Sequence, residues 1–152
     1  MREALRQVAS VQQALPSGVT SLHPAVYLIE TLGVPLGFHF QNYFHRLYSA
    51  DLALVIPALS DESHAAAPGP DPLDADAHRV LDSVARLAAR PSPADRARWL
   101  EALATLHWMG NVHSWNPEAS LAQLRRSRPD LAAIGTEAVA ALVEIGAWGR
   151  TR

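Results

Sequence analysis

Alanine and leucine dominate the chain, and this bias constrains its fold more than any other feature. The two residue types fill 47 of the 152 positions, whereas valine and isoleucine together fill only 15. Alanine and leucine are strong helix formers, while β-branched residues favour strands. A chain of this length usually forms one domain and buries a sizeable core. The sequence therefore predicts an all-α fold, with a single compact domain of about six or seven helices over residues 1–152.

Proline, glycine and asparagine divide the chain into its helices. Start and stop signals predict helices over residues 1–15, 23–33, 38–50, 76–90, 93–110 and 136–146, another that starts at 117, and a short one that starts at 129. Residues 51–59 suit either a short buried strand or another helical turn, and we favour the helical turn because no partner strand is evident. Residues 60–77 are rich in alternating prolines and predict a mobile, solvated central loop.

Composition excludes or disfavours several classes of protein. The chain has no cysteine, so it forms no disulfide or thiolate metal site, and no lysine, so it has no amine for Schiff-base chemistry. Its formal net charge of −2 disfavours nucleic-acid binding. It shows neither the apolar core of a signal peptide nor a membrane-length apolar stretch, so we expect a cytoplasmic protein with no membrane partner. Abundant alanine, with arginine in place of lysine, suits a GC-rich bacterial genome.

The first candidate site is the stretch 38–48, in which seven of eleven residues are aromatic or histidine. As a helix it would pair His39 with Tyr43 at i, i+4. An imidazole titrates near neutral pH and a phenol donates hydrogen bonds, so we assign catalytic roles to His39 and Tyr43. The ligand-binding candidates on neighbouring faces are His45, Arg46 and Tyr48. The alternative interpretation, favoured by the apolar stripe of this helix, is an ordinary aromatic core element.

The second candidate site is residues 107–116, where two histidines and two of the four tryptophans lie within ten positions. This segment spans a predicted helix end and its loop, and loops held by rigid helices often carry function. We assign acid–base roles to His107 and His113, and ligand binding to Trp108 and Trp115. The alternative is that His107 only interacts with the helix dipole and the indoles only pack.

The seven histidines give little support to a metal site, and we assign no metal ligand. His107 and His113 are six residues apart rather than four, and no HExxH motif occurs. Haem ligation by a histidine in a helical pocket stays open, so the cofactor is unknown. Phosphate-binding loops and the G-x-S-x-G nucleophile motif are also absent from the sequence.

Two classes of function remain, with a third that is weaker. The first is a small-molecule-pocket protein, a binder or a modest acid–base enzyme acting on an apolar or aromatic ligand. It requires the segments 38–48 and 107–116 to meet in space. The alternative is a non-catalytic helical interaction module or homodimer, whose aromatic residues form core or interface. DNA binding through the arginine-rich turn at residues 125–128 is weakest, because such a turn is typical of a solvated helix C-terminus.

Overall fold

Seven α-helices and one short β-hairpin form residues 2–60 and 71–148, the part of the chain that the computed structural model describes. In chain order these are α1 (Arg2–Ala14), α2 (Leu22–Thr31), β1 (Gln41–Tyr43), β2 (Arg46–Tyr48), α3 (Ala50–Val55), α4 (Ala75–Ala88), α5 (Arg96–Val112), α6 (Pro117–Ser127) and α7 (Gly135–Glu144). Short 3₁₀ turns lie at Ile56–Ser60, Pro93–Asp95 and Pro129–Ile134. The predicted helical fold is therefore confirmed, with one small sheet added to it.

Helix α5 is the centre of the fold. It contacts α2, α6, α7 and β2, and its fully buried side chains include Leu100, Leu103 and Leu106. A helix that is apolar around most of its circumference belongs in the interior. Burial of each leucine contributes ~1.5–3 kcal/mol. Helix α5 is therefore a rigid support for the polar side chains of Glu101 and Thr105, which it holds against the hairpin.

Side-chain caps fix where several helices begin. Asn116 Oδ1 accepts a hydrogen bond from the backbone N–H three residues on, at 2.8 Å, which confirms the predicted start of α6. Asp74 caps α4 in the same way at 2.8 Å. Helix α4 therefore begins inside the segment 60–77 that the sequence predicted as loop. Residues 61–70 of that predicted mobile loop lie outside the described residues.

The predicted helix over residues 38–50 is wrong, because this segment forms an antiparallel hairpin of three residue pairs. Its two-residue turn places Phe44 and His45 at φ values of 51° and 63°. Two successive positive φ values are typical of the type I′ turn, which matches the twist of the flanking strands. In β2 only Leu47 is buried, between the exposed Arg46 and Tyr48. This alternation, with a period of two, outweighs the helical spacing of the aromatic residues.

Residues 51–59 are helical, as predicted, in α3 and the 3₁₀ turn that follows it. The Ser49 hydroxyl caps α3 by accepting a hydrogen bond from the Leu52 N–H at 3.2 Å. Helix α5 also continues two residues past Gly110, where the sequence predicted its end. Gly110 instead makes room for the ring of Trp148, which lies where a Cβ atom would be.

Candidate functional site

The predicted site residues lie in four places. Tyr43, Arg46 and Tyr48 line a cavity beside the hairpin, and His45, His113 and Trp115 line a smaller chamber. His107 and Trp108 contact Tyr27 inside the fold, while His39 lies on the surface. The segments 38–48 and 107–116 therefore meet, since His45 and His113 share one chamber.

The larger space, which we call the hairpin cavity, has a volume of about 250 Å³. It lies between the hairpin, the beginning of α2 and the middle of α5. One wall is aromatic, formed by Tyr43, Phe44 and Tyr48, and the Tyr43 and Phe44 rings meet edge to face at 4.6 Å. Phe44 is 79% exposed and Tyr43 is 57% exposed. The cavity therefore opens to solvent beside a large aromatic surface.

His23 lines the cavity from α2. Its ring stacks on Tyr48, with 5.0 Å between centroids and 17° between planes. The Ser49 backbone N–H donates to His23 Nδ1 at 3.1 Å, so Nδ1 is unprotonated and the ring hydrogen lies on Nε2. Burial lowers the pKa of His23 below 6.5, which also favours the neutral ring. Because Nε2 has no partner among the described residues, the cavity contains a donor of fixed tautomer.

A network of arginines and carboxylates closes the polar end of the cavity. Arg46 donates to Glu101 at 2.7 Å, and Glu101 also accepts from Arg128 at 3.4 Å. Arg128 is buried and donates twice to Asp130, at 3.0 and 2.8 Å, which lowers the pKa of that carboxyl. Arg128 donates in addition to the His45 carbonyl oxygen at 3.3 Å. The network therefore ties the turn of the hairpin to α5 and to the 3₁₀ turn before α7.

The smaller chamber has a volume of about 90 Å³ and adjoins the hairpin cavity, because Thr105 lines both. Its lining is mainly polar and includes Asn42, His45, His113, Gln123 and Ser127. The His113 ring stacks on Trp115, with 4.9 Å between centroids. At ~30 Å³ per water molecule, the chamber holds about three waters or one small polar group.

A buried polar group joins α2 to α5 deeper in the fold. The Tyr27 hydroxyl lies 2.9 Å from His107 Nδ1, and Asn111 Nδ2 lies 3.0 Å from His107 Nε2. With the amide as donor, the histidine proton is on Nδ1 and the Tyr27 oxygen accepts it. Burial raises the pKa of Tyr27, so its hydroxyl stays neutral. Trp108 packs 6.1 Å from Tyr27, and its indole N–H has no partner among the described residues. This group is suited to holding two helices together.

His39 lies apart from both spaces. Its side chain is almost completely exposed, and its Nδ1 lies 3.3 Å from Asp51 Oδ2. The predicted pairing of His39 with Tyr43 on one helix face is wrong, because it required a helix where the chain forms β1. The surface ion pair with Asp51 contributes little to stability.

Several residues of this region were not among the predicted site residues, including His23, Tyr27, Phe44, Glu101 and Arg128. His23 is fully explained in the sequence as part of a helix start, so nothing marks it as a cavity residue. Glu101 did carry a signal, since it is the one carboxylate in a helix whose other side chains are mostly apolar. A carboxylate in such a position needs a charged partner.

Metal and DNA binding have little geometric support. No three His, Asp or Glu side chains within residues 2–60 and 71–148 are grouped so that they could hold a metal ion. In the arginine-rich turn, Arg128 is buried in the ion network and Arg126 donates to Gln123 at 3.0 Å. Phosphate binding needs exposed basic side chains, so the turn presents fewer contacts than its sequence indicates.

Wider comparisons do not add a function. Comparison of the chain with protein-family models, with curated proteins and with solved structures finds no match. Among the described residues, no helix combines the length and apolar character needed to cross a membrane. What the protein binds must therefore be inferred from the geometry of the site.

Proposed function

We propose that the protein binds a small aromatic molecule in the hairpin cavity. The observation that carries this proposal is the aromatic wall, because Tyr43 and Phe44 border a cavity and are still largely exposed. The apolar surface of these rings leaves water only when a ligand covers it, and this burial contributes favourable free energy to binding. A stacked or edge-on aromatic ligand would cover them, and each such ring pair contributes ~0.5–1.5 kcal/mol beyond the area buried.

The backbone beneath this wall supports the same proposal. Phe44 and His45 both have positive φ, where a residue with a Cβ atom is disfavoured by ~1–2 kcal/mol. Glycine or asparagine would form the turn at lower cost. Backbone strain of this kind concentrates at ligand-binding sites. Here the strained turn projects the Phe44 ring beside the cavity.

The dimensions of the cavity set the size of the ligand. Its volume of about 250 Å³ is slightly below the ~300–1,000 Å³ of pockets that hold drug-sized molecules. A molecule of one or two rings is therefore the best match. The cavity has an aromatic wall and a polar end at Arg46 and Glu101, so the ligand is expected to carry a polar group at one edge.

Acid–base catalysis on that ligand stays a prediction. Of the four catalytic candidates, Tyr43 lines the hairpin cavity and His113 lines the smaller chamber, whereas His39 and His107 line neither. His23 is the imidazole best placed to exchange a proton with a ligand in the cavity, since burial keeps its ring neutral near pH 7. We therefore propose ligand binding first. Catalytic conversion of the ligand, with His23 as the acid or base, would be an additional activity.

Saturation-transfer NMR with indole as the probe tests binding. We expect transfer to indole from the wild-type protein and a several-fold weaker signal with Tyr43→Ser, which removes one ring of the wall. Leu54→Ser is the matched control, because Leu54 is also strongly exposed but lies on α3, outside the cavity. Absence of transfer from the wild type, or equal transfer from the Tyr43 variant, contradicts the proposal.

The exposure of Phe44 also favours a second candidate, self-association of two copies through the hairpin. An exposed aromatic ring at the tip of a turn is a typical interface anchor. Sedimentation velocity over a range of concentrations would detect the dimer, and Phe44→Ser should abolish it. A wild-type protein that sediments as a monomer at every concentration contradicts this candidate.

A further inference from the structure

We infer that the ligand of the hairpin cavity is an aromatic carboxylate, whose oxygens accept hydrogen bonds from His23 Nε2 and Arg46. The inference rests on the proposed binding function and specifies its ligand. It follows from two groups at the cavity, an imidazole and a guanidinium, whose remaining hydrogen-bonding atoms are all donors.

His23 supplies the first donor. Its Nδ1 already accepts the Ser49 N–H, so its remaining polar atom is Nε2, which carries the hydrogen. The stack against Tyr48 and the bond to Ser49 fix the ring at both its face and its edge. A ligand group that meets Nε2 must therefore be an acceptor, since a second donor there would leave two hydrogens facing each other.

Arg46 supplies the second donor. Its Nη1 donates to Glu101, and no other N–H of this guanidinium has a partner in the described part of the chain. Both oxygens of Glu101 accept bonds from Arg46 or Arg128, so these two arginines offset its negative charge. The hydroxyls of Tyr43 and Tyr48 can serve in either role. The imidazole and the guanidinium therefore favour a ligand that supplies acceptors.

The charges around the cavity permit an anionic acceptor. Arg46 and Arg128 balance Glu101 and Asp130, so a carboxylate meets no net repulsion from the network. Hydrogen bonds to a carboxylate are about twice as strong as those between neutral groups. Tyr43 and Phe44 lie along the same cavity, so a ring attached to the carboxylate would pack on the aromatic wall.

Two probes that differ only in the carboxylate test this inference. Isothermal titration at pH 7.5 compares indole-3-carboxylate with indole, and we expect the carboxylate to bind the wild type at least about tenfold more tightly. His23→Asn keeps an acceptor near the Ser49 N–H but removes the Nε2 donor. It should reduce the preference, which is the ratio of the two probe affinities in the same variant, to about twofold.

Two further variants secure the comparison. Arg46→Met removes the second donor from a largely exposed side chain, so it gives a folded alternative if His23→Asn does not fold. It too should reduce the preference for the carboxylate. His78→Asn, the same replacement on α4 outside the cavity, should keep the full wild-type preference.

The outcomes separate the two proposals. If neither probe binds the wild type, the binding function and this inference are both overturned. If both probes bind with equal affinity, the binding function stands and the carboxylate inference is overturned. A preference that survives unchanged in both His23→Asn and Arg46→Met also overturns it, because neither donor would then contact the carboxylate.

Discussion

Replacement of Arg128 by methionine tests whether the ion network holds the hairpin to the helical body. Methionine keeps an unbranched apolar stem and removes the guanidinium, with its bonds to Glu101, Asp130 and the His45 carbonyl. Glu101 retains Arg46 as a partner, whereas the His45 carbonyl loses its link to Arg128. The variant should therefore both destabilise the fold and loosen the turn.

The exposure of the partners sets the size of the loss. Removing one partner of a fully buried ion pair costs ~3–5 kcal/mol. The Arg128 side chain is 7% exposed, but Glu101 and Asp130 are 21% and 51% exposed, so water replaces part of what they lose. We expect the free energy of unfolding to fall by ~2–3 kcal/mol, or roughly 5–10 °C in Tm for a chain of this size.

Urea denaturation followed by circular dichroism measures this loss by linear extrapolation to water. Arg125→Met is the matched control, because Arg125 is exposed in the last turn of α6 and surface changes usually stay within ~0.5 kcal/mol. A double-mutant cycle with Glu101→Gln should give a coupling energy of ~1 kcal/mol or more. Equal losses in the two methionine variants, or zero coupling to Glu101, would refute the reasoning.

Three further predictions concern two glycines and one histidine. Gly18→Ala should lower the free energy of unfolding by ~2 kcal/mol or more, because Gly18 has a φ of 89° and a Cβ there would overlap a backbone carbonyl oxygen. Thermal unfolding measures this loss. Gly33→Ala is the control and should lose less stability, because Gly33 also has a positive φ but a Cβ there meets open space. Gly110→Ala should displace the ring of Trp148 and shift tryptophan emission to the red; an unchanged emission maximum contradicts this contact. The pKa of His23 in the folded protein lies below 6.5, so as the pH falls the unfolded chain binds the proton first. The free energy of unfolding should therefore decrease as the pH drops below 6.5, whereas His23 should contribute no pH dependence above 6.5. His23→Asn should remove this part of the acid sensitivity in urea titrations; an identical pH profile in this variant contradicts it.

The helices could be predicted from sequence because the signals that start and stop them act locally. The Asn116 cap binds a backbone N–H only three residues away, so the sequence alone contains the whole interaction. Residues 51–59 became helical for a similar local reason, since Ser49 caps α3. Gly110 was misread as a stop because its reason, the Trp148 ring, lies far along the chain.

The hairpin could not be predicted because two patterns coincide in one segment. Phe40, Phe44 and Leu47 have helical spacing, while Leu47 between two polar-tipped neighbours also fits a strand. Contacts distant in sequence decide between them, above all the Ser49 N–H bond to His23 on α2. The turn residues Phe44 and His45 also lack the glycine or asparagine that normally marks a type I′ turn.

The candidate site, too, could be predicted where its features are local and not where they depend on long-range contacts. Its aromatic wall comes from one composition-biased segment, and the sequence singled out that segment. The polar groups that give the cavity its chemistry are Glu101 on α5 and His23 on α2, and both depend on long-range partners. His23 becomes a donor of fixed tautomer only through the Ser49 N–H, and the charge of Glu101 is offset only through Arg46 and Arg128. Neither of these contacts can be predicted from the spacing of residues along the chain.

Binding and local stability should be linked at the hairpin. A two-stranded hairpin of three residue pairs is not stable alone, so its contacts with the helices must hold it. Two of these contacts run through His23 and Arg46, the same side chains that would bind the ligand. A ligand at ten times its Kd stabilises the folded state by ~1.4 kcal/mol. With indole-3-carboxylate bound, hydrogen exchange should slow more in β1 and β2 than in α1. The reason is that a locally weak segment can open without unfolding of the rest of the protein. Equal slowing in α1 and the hairpin would mean that the hairpin opens only when the whole fold does.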